Sequence, residues 1–311
     1  MTSTKSNPPK PKRSSRARAV PAAEQPVDRA AIKRRLLTRR LREAQALASR
    51  MTILPDGSRV FLRFDRAVRS QHLVLIVTFT TLAVTGLLQH FSHYTLIAKI
   101  VNGLGGVEAL RTVHHVAAIL IIAVSLYHVW TIFETWFVKR TRGAMWPRVQ
   151  DAKDLVQIIK YNLGLAEARP AYDRFSIEEK MEYWALLWGQ SLMIVTGLIM
   201  WFPVVATWIL PGEAIPIARA LHSWEAILAT LAILTWHTYH AHIKTHNRSM
   251  FTGYMTEEEM RHEHPLEYER ILAAYAFIQK VQQEHAAARP TPSGNGQPAS
   301  PDPAKFPSPP A

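Results

Sequence analysis

One stretch limits what this chain can become. Ala218 to Ile243, ARALHSWEAILATLAILTWHTYHAHI, is long and apolar enough to cross a bilayer, yet it carries His222 near one end and His237 near the other. Ionisable side chains at such depth are costly unless a partner or a metal holds them. The two histidines are 15 residues apart. On an α-helix that is a rise of about 22 Å and a net turn of about 60°, so both imidazoles point to one side. One helix thus offers one axial ligand to each of two haems stacked near opposite membrane faces.

Three further apolar blocks, Val68 to His90, Thr112 to Val138 and Met181 to Leu210, join Arg219 to Ile243, each near the length needed to span the hydrocarbon. The expected fold is an all-α membrane protein, a four-transmembrane-helix bundle with cytoplasmic N- and C-terminal extensions. A mean hydropathy of −0.05 conceals the blocks, because a hydrophilic N-terminal tail and a Pro-rich C-terminal tail dilute them. The chain has no cysteine, which excludes disulfides, covalent haem attachment through CxxCH, and cysteine-held zinc or iron–sulfur centres. A redox cofactor must be held by histidine.

The net charge of +13 invites a nucleic-acid reading, so the placement of the charges decides. Lys and Arg number 18 before Ser70, 9 between Val138 and Lys180 and 7 after Ile243; only Lys99, Arg111 and Arg219 remain. That split follows the positive-inside rule and puts both termini and the middle loop in the cytoplasm, with membrane lipid rather than nucleic acid as the partner of the charges. Residues 1–60 form a basic extension. Residues 1 to about 30 lack apolar periodicity, are expected to be disordered, and hold no apolar region of the kind a secretion signal needs, so the first membrane helix must direct insertion. Ala31 to Met51 reads as a basic helix that lies on the inner membrane surface or against a partner subunit. The membrane domain covers 61–245, a cytoplasmic helical extension 246–287, and a flexible Pro-rich tail 288–311.

Within the spans, His72 sits just inside the cytoplasmic edge of the first, either as a snorkelling interfacial residue or as a haem ligand. His114 and His128 in the second are 14 residues apart, about 21 Å and −40°, repeating the arrangement of the fourth. His115 points about 100° from His114, so at most one of them serves the same haem. Thr85-Gly86 lies where a missing side chain lets a neighbour or a porphyrin approach, and Thr196-Gly197 echoes it 111 residues later; the same offset carries His72 onto Tyr183. The third and fourth spans therefore read as a weak repeat of the first two. Pro203 is expected to kink the outer end of the third. DLVQIIKYNLG reads as a short helix closed by Gly164, and Thr256 as a helix cap. His90, His93, His242, His246, His262 and His264 read as ordinary solvated residues.

By depth, His114 and His222 share the outer level, which gives a bis-histidine haem directly. At the inner level His237 has two available partners, His128 or His72, and the matched spacing favours His128.

The succession RFDRAVRSQH…VTG, RTVHHVAA, VTGLI and LHSWEAILATLAILTWHTYH resembles the membrane cytochrome b subunit of respiratory formate dehydrogenases and nickel–iron hydrogenases, over roughly residues 60 to 245. The resemblance implies two b haems in a bacterial inner membrane, the inner on His72 and His237 and the outer on His114 and His222. Arg69 and Arg111 would pair with propionates. His128 is left to replace His72, to touch a propionate or quinone, or to serve a third haem. The last-helix histidines stand one residue closer in the formate-dehydrogenase pattern, which implies here either a local helix bulge or His240 in place of His237. It further implies electron transfer between a periplasmic or membrane-bound redox subunit and quinone or quinol bound near the inner haem. The subunit would be an electron-transfer component of a quinone-linked oxidoreductase whose catalytic site lies on another chain. GYMTEEEMRHEHPLEYERI is similar to the tail of relatives with multihaem cytochrome c partners; iron–sulfur subunits are the other partner class.

Two readings of other kinds stand beside this one. A haem-free transporter handling metal or protons would use the histidines with Glu225 and Glu134. A membrane anchor that recruits a partner through basic tails accounts for the charges but not for the paired histidines.

Overall fold

The computed structural model describes residues 28–138, 140, 143–244 and 246–287. The expected disorder at the two extremes therefore lies outside the described residues. The chain divides after Arg42 into two units. Arg29–Ala48 forms the basic helix α1, capped by Asp28, whose Oδ1 accepts from the backbone N–H groups of Ala30 and Ala31. It ends three residues short of Met51, which opens a strand instead.

Four helices are long and apolar enough to cross a membrane: Arg66–His90, Gly106–Val138, Ile177–Trp201 and Ala214–Lys244. They are α2 (Arg66–His90), α4 (Gly106–Phe133, continued by a π-helical turn to Val138), α6 (Ile177–Trp201) and α8 (Ala214–Ala232, continued by π-helical turns Ile233–His237 and Tyr239–Lys244). The short α3 (Thr95–Gly103) and α5 (Val149–Asn162) lie in the connections. Along the four spans large apolar side chains face outward, among them Leu73, Ile119, Leu126, Trp188, Leu228 and Leu234, whereas Thr78, Thr85, Ala117, Thr196 and Ala218 are buried. Small residues inside and large apolar ones outside is the pattern of helices that pack closely in lipid. α2 packs on α4, α6 on α8, and α2 also on α8.

Pro203 does more than kink its helix. Phe202, forced off helical backbone by the proline that follows, has φ −120° and ψ 61°, and Pro203 opens a separate turn, α7 (Pro203–Ala206). α5 starts at Val149, five residues before the expected DLVQIIKYNLG, and closes as expected at Gly164, whose φ is 71°. Its Asp151 accepts a buried ion pair from Lys180 of α6 at 2.6 Å.

The strands were not anticipated. Met51–Ile53 (β1), Arg59–Leu62 (β2) and Tyr254–Thr256 (β3) form an antiparallel sheet in that order, with Met51 opposite Phe61 and Phe61 opposite Met255. After the short α9 (Ser249–Thr252), β3 leads into α10 (Glu257–Glu263) and α11 (Pro265–Ala287). Thr256 and Glu259 close a reciprocal capping box on α10. Met51, Phe61, Met255, Met260, Tyr268 and Ile271 make the core of this cap. The segment entering α2 and the segment leaving α8 are thus one folded unit, at one end of the bundle.

An ionic cluster fastens the cap to the spans. Glu267, 1% exposed, accepts from Arg50 at 2.7 Å, Arg174 at 2.9 Å and Arg63 at 3.4 Å, and Arg63 also reaches Glu179 at 2.9 Å. Arg63 donates to the Arg174 carbonyl and Arg174 to the Arg63 carbonyl, while Phe64 stacks on Phe175. Asp65 and Ser176, the next residue in each copy, cap α2 and α6. Arg-Phe-cap recurs at the 111-residue offset, so the repeat extends to the motifs that open α2 and α6, and its copies touch reciprocally as in a two-fold interface. Gly253, at φ 91°, supplies the carbonyl that accepts from Arg63 and Phe64. His264, expected to be solvated, is 3% exposed, and its Nδ1 donates to the Asp173 carbonyl at 2.8 Å.

Candidate functional site

At the end of the bundle far from the cap, α4 carries His114 and α8 carries His222, with ring centroids 6.4 Å apart. Each ring is held by the repeated Thr-Gly of a neighbouring span. Thr85 Oγ1 stands 2.9 Å from His114 Nδ1, and Thr196 Oγ1 stands 3.0 Å from His222 Nδ1. The hydroxyl protons are already committed, because Thr85 donates to the Thr81 carbonyl at 2.6 Å and Thr196 to the Leu192 carbonyl at 2.7 Å. Each threonine oxygen must therefore accept, which assigns the proton to Nδ1 and leaves Nε2 with a free lone pair. That is the tautomer a metal requires.

The glycines are needed for the rings to sit there. A Cβ on Gly86 would lie 3.2 Å from His114 Cε1, and one on Gly197 would lie 3.3 Å from His222 Cε1. VTGL is thus one device used twice: the threonine orients an imidazole and the glycine makes room for it.

At the cap end, His72 of α2 faces His237 of α8 with ring centroids 6.3 Å apart. His237 Nδ1 donates to Glu182 Oε2 of α6 at 2.9 Å. The π-helical turn Ile233–His237 takes up an extra residue just before this histidine, closed by the Thr238 N–H reaching back to the Ile233 carbonyl. His240 lies elsewhere, against Trp236 at 4.4 Å, its Nδ1 donating to the Trp236 carbonyl.

His128 is not brought opposite His237. Its Nδ1 is 3.3 Å from Gln71 Oε1 and its Nε2 is 3.0 Å from the Tyr183 hydroxyl. Equal spacing along α4 and α8 suggested that His128 and His237 share a level, but spacing fixes depth and leaves open which helix faces which. The 111-residue offset carries His72 onto Tyr183, so His128 meets a tyrosine where His237 meets a histidine.

Metal–imidazole bonds of about 2 Å on either side of one ion, plus the ring radii, put facing ring centroids about 6 Å apart. Both histidine pairs meet that separation, and no hydrogen bond joins the two members of either pair. The donor set is four imidazoles in two pairs, with an oriented tautomer and a glycine cradle at the far end, and it fits a bis-histidine haem at each level. His128 and Tyr183 are joined directly, so no ion fits between them as they stand. Arg69 donates to the Phe251 carbonyl and Arg111 pairs with Glu108 of its own helix at 2.8 Å. His115 stacks on Trp201 at 3.9 Å.

Sequence reasoning noted Thr85 and Thr196 only as companions of glycine and passed over Glu182. The repeated VTGL was a usable signal for the threonines; Glu182, following Glu178 and Glu179 at the charged start of α6, offered none.

The family profile described as prokaryotic cytochrome b561 matches residues 63–253. The formate dehydrogenase cytochrome b556 subunit of Haemophilus influenzae is 24% identical over 211 residues, covering 67% of this chain and 82% of the relative. The cytochrome b556(fdo) subunit of Escherichia coli formate dehydrogenase is 23% identical over 214 residues, covering 68% of this chain and 92% of the relative.

Proposed function

This chain belongs to the prokaryotic cytochrome b561 family, and from that premise we propose that it is a di-haem subunit passing electrons between a periplasmic-side redox partner and the quinone pool. At the coarser level it is a multi-pass membrane protein and a haem b electron-transfer subunit of the formate dehydrogenase type. The finer reading is carried by one observation: two facing histidine pairs, with centroids 6.3 Å and 6.4 Å apart, at opposite ends of one bundle.

His114 and His222 would hold the outer haem, and His72 and His237 the inner. The hydrogen-bonded His128–Tyr183 pair favours two haems over three. Placement of both termini in the cytoplasm draws support from the 34-to-3 split of basic residues counted above and from the cap that joins both extensions at one end.

A bound haem supplies one-electron exchange at its iron, with a potential set by ligands, hydrogen bonds and burial. The chain's own residues do the rest. Thr85 and Thr196 hold the outer imidazoles as Nδ1–H tautomers, and Glu182 does the same for His237. The π-helical turn brings His237 round to His72. The lipid-facing Leu, Ile and Trp side chains keep both levels in a low dielectric. Along α8 the two levels are about 20 Å apart by helix rise, a spacing that carries electrons from one membrane face to the other. Quinone or quinol exchanges at the inner level, and the catalytic site for the donor or acceptor substrate belongs to an associated subunit.

The test is a pyridine haemochrome with protein quantitation on the purified chain, repeated for His72→Ala, His128→Ala and His222→Ala. The expected result is about two b haems in the wild type, one lost in each of H72A and H222A, and none lost in H128A. A wild type without haem overturns the electron-transfer reading; loss in H128A but not H72A moves the inner ligand to α4.

A further inference from the structure

We infer that Glu182 is a positioning residue that separates the potentials of the two haem centres, holding the inner one below the outer. The inference deepens the di-haem reading and rests on it.

The two levels differ in what takes the Nδ1 proton of the axial imidazoles. At the outer level both protons go to neutral hydroxyls, Thr85 at 2.9 Å and Thr196 at 3.0 Å. At the inner level His237 gives its proton to the carboxylate of Glu182, at 2.9 Å, and His72 makes no hydrogen bond among the described residues. Hydrogen bonds to an ionised acceptor are roughly twice as strong as neutral ones. A carboxylate behind a ligating imidazole also raises its basicity. Oxidised iron carries one more positive charge than reduced iron, so an imidazole made more electron-rich, with an anion behind it, favours the oxidised form. Neutral threonines do this far less.

The surroundings leave the carboxylate's charge available to His237. The nearby basic side chains are engaged elsewhere: Lys180 with Asp151 at 2.6 Å, and Lys244 with Glu178 at 3.7 Å. The second oxygen, Oε1, is buried without a hydrogen-bond partner, 3.9 Å from His240 Nδ1, whose proton is directed to the Trp236 carbonyl. Glu182 therefore acts on one ligand of one centre; its counterpart under the repeat is the neutral Gln71, beside His128, and at the outer level Glu225 turns to Gly189 of α6 while the imidazoles bond to threonines.

The experiment is a redox titration of the purified full-length chain, followed in the haem absorption bands, for the wild type, Glu182→Gln, Glu182→Asp and His72→Ala. Glutamine can still accept from Nδ1 but carries no charge. The component missing from H72A identifies the inner haem, and in the wild type it is expected to be the lower-potential one. In E182Q that component alone is expected to rise, its reduced-to-oxidised ratio at the wild-type midpoint increasing about tenfold, which is about 59 mV for a one-electron couple. E182D, which keeps the charge, is expected to stay near the wild type. The inference is overturned if the component lost in H72A is the higher-potential one, if E182Q leaves both midpoints in place, or if it moves both equally. Should E182Q fail to hold the inner haem, the wild-type ordering and E182D still decide. Failure of the underlying reading looks different, since it shows as missing haem in the wild type before any titration.

Discussion

Thr196 accepts the Nδ1 proton of His222 at 3.0 Å because its own proton is spent on the Leu192 carbonyl. Valine keeps the shape and removes the acceptor. Thr196→Val is expected to weaken outer-haem retention about tenfold, within the range for outer-shell partners of metal-bound histidines. Thr85→Val should match it, and the rate of haem loss to an apo-globin acceptor measures both. Unchanged loss rates would show that the hydroxyls do not orient these ligands.

Glycine at position 86 leaves no room to spare. A methyl group there would press on His114 Cε1 at 3.2 Å, whereas around Gly103 nothing lies within 4 Å. Gly86→Ala is expected to lower outer-haem content and Gly103→Ala to leave it unchanged. Equal haem content in both variants would contradict the cradle.

Glu267 is the common acceptor of Arg50, Arg63 and Arg174. Glu267→Ala leaves Arg63, only 1% exposed, with one carboxylate fewer. The expected loss is about 3–5 kcal/mol of cap stability, the cost of breaking a buried pair from one side. Denaturant unfolding in detergent, read by tryptophan fluorescence, checks this, and a change under about 1 kcal/mol would mark the cluster as solvated.

Acid should loosen the same region. Burial, reinforced by the Arg63 guanidinium, pushes the His264 imidazole down from 6.5 to about 4. The folded cap keeps it neutral over a range in which the unfolded chain protonates it, so stability is full above about pH 6.5 and falls as the pH drops toward 4. The loss from this group is about 3 kcal/mol at most. His264→Gln retains a donor for the Asp173 carbonyl and is expected to flatten that part of the pH–stability curve. A variant with the wild-type slope would assign the effect to other groups.

The spans were legible because hydrophobic length is a property of local sequence. The starts of α2 and α6 were set a few residues late, since Arg66, Glu178, Glu179 and Lys180 are charged yet lie inside helices. The pairing of His114 with His222 followed from depth alone. The choice between His72 and His128 did not, because it depends on which helices are neighbours, and it was the resemblance, not the spacing, that favoured the pair found together. The hairpin ILPDGSRV carried a usable signal in its Pro-Asp-Gly turn, whereas β3 could not be read at three residues whose partner lies almost 200 positions away. His264 was misread because its neighbours are polar in sequence, while the groups that act on it in the fold, Asp173, Arg63 and Glu179, are all remote along the chain.

The sheet that pairs Phe61 with Met255 has a consequence for biosynthesis. β2 leaves the ribosome before any of the four spans, and its partner strand only after all of them. The loop closed by that pairing contains the entire membrane domain. During translation the N-terminal hairpin must wait with one edge unpaired and Arg63 without Glu267, and the clasp shuts only when the last span is already in the bilayer. The cap therefore works as a completion lock: the entry to the first helix becomes native only in chains whose fourth helix has been made.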